Sequence, residues 1–194
     1  VGEGKVRWER LFADLEARHS AEAALERDVE VADRTRRERA QVGLHARLLA
    51  NVGGPEISLR VAGAAPGAAP GGAVAGVLVD VGPDWLLLAE SRRHSLLVPL
   101  PAVRGVVGLV GGAQEPTLVA RRFTLAAALR GLSRGRVPLE VTAVDGWTVT
   151  GTIDAVGADH VDLAEHPLDQ PRRSRHVVRA HVLPFAALSC LRHP

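Results

Sequence analysis

The chain says one thing twice. Residues 75–90 read AGVLVDVGPDWLLLAE, and residues 150–165 read TGTIDAVGADHVDLAE. At an offset of 75, seven of the sixteen positions are identical: Gly76/Gly151, Val81/Val156, Gly82/Gly157, Asp84/Asp159, Leu88/Leu163, Ala89/Ala164 and Glu90/Glu165. Whatever backbone suits one copy must also suit the other. Alternating apolar residues on either side of a Gly-x-Asp turn predict two strands and a hairpin in each copy. Gly76 and Gly151 fall inside strands, where glycine marks a bend or bulge.

The repeat extends outwards. EISLRV (56–61) alternates Ile57, Leu59 and Val61 on one face, and VPLEVTAV (137–144) answers with Val137, Leu139 and Val141 at an offset of 80. LLVPL (96–100) and VRGVVGLV (103–110) supply two more strands, and VVRAHVLPFAALSCL (177–191) supplies their counterparts. Leu183-Pro184-Phe185-Ala186-Ala187-Leu188 mirrors Val98-Pro99-Leu100-Pro101-Ala102-Val103. Asp145-Gly146 predicts a tight hairpin where the first copy carries the low-complexity tract AGAAPGAAPGGA (62–73). FTLAAALRGLSRG (123–135) predicts a short helix before the second copy. Residues 5–42 hold no Gly or Pro and predict helices near 5–18 and 20–52. The expected fold class is therefore mainly β with N-terminal α-helices. It is organised as a helical arm (1–54), a first five-stranded barrel (55–110), a linker (111–122) and a second barrel with its preceding helix (123–194). Closing each set of strands removes exposed sheet edges.

The copies differ at one telling place. His160-Val161-Asp162-Leu163 alternates, with one face wet, whereas Trp85-Leu86-Leu87-Leu88 is apolar on both faces. A strand of the second kind is covered on both sides. The N-terminal helices, first, or the other copy would cover Trp85.

The run VPLEVTAVDGWTVTGTIDAVGADHVDL (137–163), preceded by a helix, resembles the Sm-like (LSm, Hfq) barrel and the related SH3-like barrel of bacterial ribosome-maturation factors. The resemblance covers roughly 44–110 and 123–191. It implies tandem Sm/SH3-like barrels and nucleic-acid or protein binding. The family reads bases with an Asp and an Asn, but the corresponding positions here are Gly157 and Val161, or Gly82 and Leu86. Arg104-Gly105 echoes the family's second motif but lies inside the last strand.

Charge points the same way. The net charge is only +2, yet residues 121–194 carry ten arginines against seven acids. Two stretches, 116–139 and 170–194, hold five arginines each and no acid. Arginine is the usual partner of phosphates and base edges, and local charge decides more than the total. The expected interface is an arginine-rich face of the second barrel: Arg121, Arg122, Arg134, Arg136, Arg172, Arg173 and Arg175, with Trp147 to stack a base. The expected partner is RNA or another polyanion. The competing reading is a non-enzymatic scaffold, self-associating or binding a protein through the helical arm and barrel edges.

Other chemistry finds little support. Asp159, His160, Asp162, Glu165 and His166 lack a metal-ligand spacing and read as a polar outer face. Cys190, the only cysteine, sits between leucines and reads as buried and inert. No P-loop, GxGxxG or Ser-centred glycine motif occurs. No enzyme activity, cofactor or metal is expected. A lone cysteine and the lack of a long apolar run lead to the expectation of a cytoplasmic protein with no membrane partner.

Overall fold

A computed structural model describes residues 30–63, 72–92, 94–117 and 122–193. The chain divides into two compact units, 1–43 and 44–194. In the first, residues 30–40 are helical (α1), with Arg34 and Glu38 paired one turn apart at 3.0 Å. The expected helix at 5–18 lies outside the described residues. The one expected over 20–52 is interrupted at 41–43, where Gly43 stands, before a short helix α2, Leu44–Leu49.

The second unit is built on ten strands: β1 Ile57–Val61, β2 Ala73–Val81, β3 Trp85–Ala89, β4 Ser95–Pro99, β5 Val103–Val107, β6 Pro138–Ala143, β7 Thr148–Val156, β8 His160–Glu165, β9 Arg179–Pro184 and β10 Leu188–His193. Helix α3, Leu125–Gly135, precedes β6. All neighbouring strands are antiparallel, in the order β5-β1-β2-β3-β4-β10-β6-β7-β8-β9. The expectation of two closed tandem barrels is corrected by this order. The sheet is one and open, because β4 takes β10 of the other half as its neighbour rather than closing on β5.

The repeat is nonetheless built into the backbone. In β2–β3, Val77, Leu78, Asp80 and Val81 face Ala89, Leu88, Leu87 and Leu86. In β7–β8, Thr152, Ile153, Ala155 and Val156 face Ala164, Leu163, Asp162 and Val161, each pair 75 residues on. Both ladders slip by one residue at the same place, after Leu78 and after Ile153. Gly76 and Gly151 are glycine because the strands cross too closely for a side chain. A Cβ would lie 2.4 Å from the Ala89 carbonyl oxygen at the first and 2.1 Å from that of Ala164 at the second. The first strands are offset by 82, not 80. Ile57 faces Gly76 and Leu139 faces Gly151, so Leu139 and Val141 take the places of Ile57 and Leu59. An even slip keeps the buried face buried, so alternation alone could not detect it.

Two apolar clusters result. One gathers Leu48, Ile57, Leu59, Leu78, Leu86, Leu88, Leu96 and Val98 of the first half with Cys190 of β10. The other holds Leu125 and Leu129 of α3 with Leu139, Val141, Ile153, Leu163 and Leu191, and it includes Trp85 and Leu97 from the first half. Trp85 is therefore covered by the second half's helix, not by the N-terminal helices that stood first among the expected covers. Its indole N–H donates to the Phe123 carbonyl (2.7 Å), and its ring meets that of Phe123 edge to face.

Candidate nucleic-acid interface

Helix α3 carries the first group of arginines. Its amphipathic spacing buries Leu125 and Leu129 and turns the opposite face outwards. Its start is tied to the first half: the Leu125 amide donates to the Asp84 carboxylate at 2.7 Å, a negative charge at the positive end of the helix. Arg122 lies exposed beside this anchor, and Arg121 lies outside the described residues. The far end closes with Arg136 in the left-handed conformation (φ 47°), its amide reaching back to the carbonyls of Leu132 and Ser133. Glycine is the usual occupant of this position. Arg134 and Arg136 are both exposed there. Eleven residues of helix separate the two arginine groups by about 16 Å.

The second group sits on the 166–178 loop, which is held by its histidines. His166 is buried. Its Nδ1 donates to the Pro167 carbonyl and its Nε2 is hydrogen-bonded to the Thr152 hydroxyl, both at 2.8 Å. His176 Nδ1 donates to the Pro171 carbonyl at 2.9 Å, and its Nε2 accepts from Arg175 Nε at 3.0 Å. A carbonyl can only accept, and this makes Nδ1 the donor in both rings. Arg172 grips Asp154 of β7 through two bonds, of 2.8 and 2.5 Å. That fork-to-fork contact raises the guanidinium pKa above its ordinary value. Arg173 and Arg175 remain exposed.

The strand register brings part of the set together. Pro138 of β6 faces Thr152 of β7. Arg136 lies two residues before Pro138, and Asp154, which holds Arg172, lies two residues after Thr152. The C-terminal end of α3 and the 172–175 segment thus share one end of β7. Arg122 stands a helix length away. Trp147 belongs elsewhere. It stands between the Asp145-Gly146 turn and β7, its amide bonded to Asp145, seven residues before Asp154. Its ring lies 5.2 Å from that of His181, and His181 Nε2 meets Glu165 at 2.6 Å. The indole remains 43% exposed.

Two features escaped the sequence reading. Asp154 occupies Arg172, because β7 and a loop eighteen residues later meet only in space. His166 is not on a polar outer face but inside, where its two bonds anchor the arginine loop. Its neighbours have other engagements too: His160 bonds Asp159 at 2.9 Å, and that contact lowers the Asp159 pKa. Among the described residues, no group of three or more His, Cys, Asp or Glu is arranged to hold a metal ion. Also among them, no helix is long and apolar enough to cross a membrane. Cys190 is fully buried, and burial raises its thiol pKa.

The chain matches no family model, no curated protein and no solved structure. Its chemistry must be argued from its own surface.

Proposed function

We propose that the protein binds a polyanion, RNA above all, without catalysis, through the arginines at the ends of α3 and on the 166–178 loop. One observation carries the reading. Arg122, Arg134, Arg136, Arg173 and Arg175 are exposed, and among the described residues none has a carboxylate within ion-pairing distance, whereas Arg172 and Arg192 are neutralised by Asp154 and Glu90. Unpaired exposed guanidinium groups are available to phosphates without first breaking a contact. Arg172 serves to hold the loop in this reading rather than to bind. Trp147 offers a stacking face at a separate place. The Sm-like reading of each half belongs here as well: the strand order is the same in both halves, each with its bent second strand. Binding has little sequence preference, because Gly157 and Val161 stand where that family's base-reading residues would be.

Replacing Arg122, Arg134, Arg173 and Arg175 together by Gln removes four cationic contacts. A gel-shift series over salt is expected to show weaker binding and a salt slope flatter by roughly 0.7 per lost phosphate contact on single strands. If wild type binds no RNA at low salt, or the two slopes coincide, the scaffold reading replaces this one.

A further inference from the structure

Helix α3 does not close fully on the sheet beneath it. Between them lies a cavity of about 500 Å³, whereas close-packed interiors leave few voids larger than a water molecule. Strand pairing builds its floor. Leu87 of β3, Leu97 of β4 and Leu191 of β10 face one another in a single row, and paired residues share one side of the sheet. Ala128, Gly131 and Leu132 of α3 form the roof, at helical spacing. Trp85 lies at one end of the floor, and Ser95 with its cross-strand partner His193 lies at the other. From the row of Trp85 to the row of Ser95 is four residues of strand, about 13 Å.

Gly131 keeps this space wide. It stands inside the helix, where glycine is a poor helix former, and a Cβ added to it would meet nothing within 4 Å. Unlike Gly76 and Gly151, it is not required by a close crossing of backbones. A second cavity, of about 460 Å³, adjoins the first; it shares Asp80, Trp85 and Phe123 with it and adds Thr117 and Arg122. The Trp85 indole N–H is already spent on the Phe123 carbonyl, so Trp85 offers an apolar ring. Arg122 is the only arginine or lysine lining either space. Asp80 is the only acid, and one of its carboxylate oxygens accepts from the Val81 amide at 2.8 Å.

Small-molecule sites are mostly apolar clefts of this size with a few placed polar groups. An apolar chamber beside one that holds an arginine without an ion-paired carboxylate is complementary to an amphipathic anion. We propose that the protein binds a single-headed organic anion with an apolar body, of the medium-chain fatty-acid kind. The chain lies between α3 and the β3-β4-β10 floor, and the carboxylate meets Arg122, whose guanidinium can offer it two parallel N–H donors. Asp80 works against the anion, which gives the two charges opposite expected effects.

Isothermal titration calorimetry of the full chain with decanoate, in the absence of nucleic acid, tests this. Wild type is expected to bind one decanoate per chain, and to bind decanol, the same chain without the charge, about tenfold more weakly. Arg122→Gln is expected to bring decanoate down to the level of decanol and leave decanol unchanged. Asp80→Asn is expected to strengthen decanoate binding. Gly131→Leu fills the cavity from the helix side with a better helix former. It is expected to abolish binding of both compounds while the melting temperature rises, which separates a blocked site from a misfolded protein. Wild type that shows no saturable binding of decanoate overturns the proposal. So does R122Q binding decanoate as tightly as wild type, D80N binding it more weakly, or G131L still binding both compounds. Arg122 also belongs to the proposed RNA face, but these titrations contain no RNA, so their failure leaves that reading standing.

Discussion

Trp85 shows what a single residue contributes. Its counterpart in the repeat is His160, and the difference between them is the difference between a covered and an open strand face. The indole closes the gap between the first half's sheet and α3, and its N–H satisfies the Phe123 carbonyl. Trp85→Ala removes that packing and leaves the carbonyl short of a partner. It is expected to destabilise the protein by about 3–5 kcal/mol, measured by urea unfolding followed by circular dichroism, and a loss below about 1 kcal/mol would contradict the packing described. That Trp85 is buried was legible in the run Trp85–Leu88. Which of the two expected covers buries it, the N-terminal helices or the other copy, was not, because its neighbours on α3 are forty residues away and no local pattern specifies them.

At the scale of the element, α3 is amphipathic and its helix was readable from Leu125, Leu129 and Leu132. Its ends were less so. Thr124 stands at the N-cap yet makes no capping bond, and Asp84 of the first half supplies the carboxylate instead. At the other end, Arg136 holds a left-handed conformation that costs an L-residue roughly 1–2 kcal/mol. Arg136→Gly relieves this, less the entropy glycine loses on folding, and is expected to raise stability by about 0.5–1 kcal/mol. The same change removes a cation from the proposed interface, so RNA affinity is expected to fall while the melting temperature rises. Thermal melts and gel shifts on one protein sample measure both. A lower melting temperature would contradict the account of this cap.

At the scale of the molecule, the two halves share one sheet and an apolar cluster that draws on both. Trp85 and Leu97 sit with Leu139 and Leu191, and Glu90 reaches Arg192 across 102 residues of sequence. Residues 44–194 form one compact unit. Separating the halves would expose the β4 and β10 edges together with the apolar surface under α3. This unit is therefore expected to unfold in a single transition, with tryptophan fluorescence and far-ultraviolet circular dichroism coinciding along a urea titration. Two resolved transitions would mean that each half is stable alone.

The repeat by itself determined that the protein has two like halves, where each strand lies, and which face of each is buried, since period-two alternation and the glycines at 76 and 151 are local signals. It also marked the arginines as a group. Only the tertiary structure decided the rest. β6 stands 82 residues on from β1, not the 80 read off the alternation, because an even slip conserves the buried face. Arg172 is spent on Asp154, Trp147 lies apart from the loop arginines, and His166 is inside, because each of these depends on a partner distant in sequence. The open sheet was beyond the sequence for the same reason. β4 pairs with β10 of the other half, and the junction places Leu97 and Leu191 in the apolar cluster under α3, a contact that no local pattern specifies.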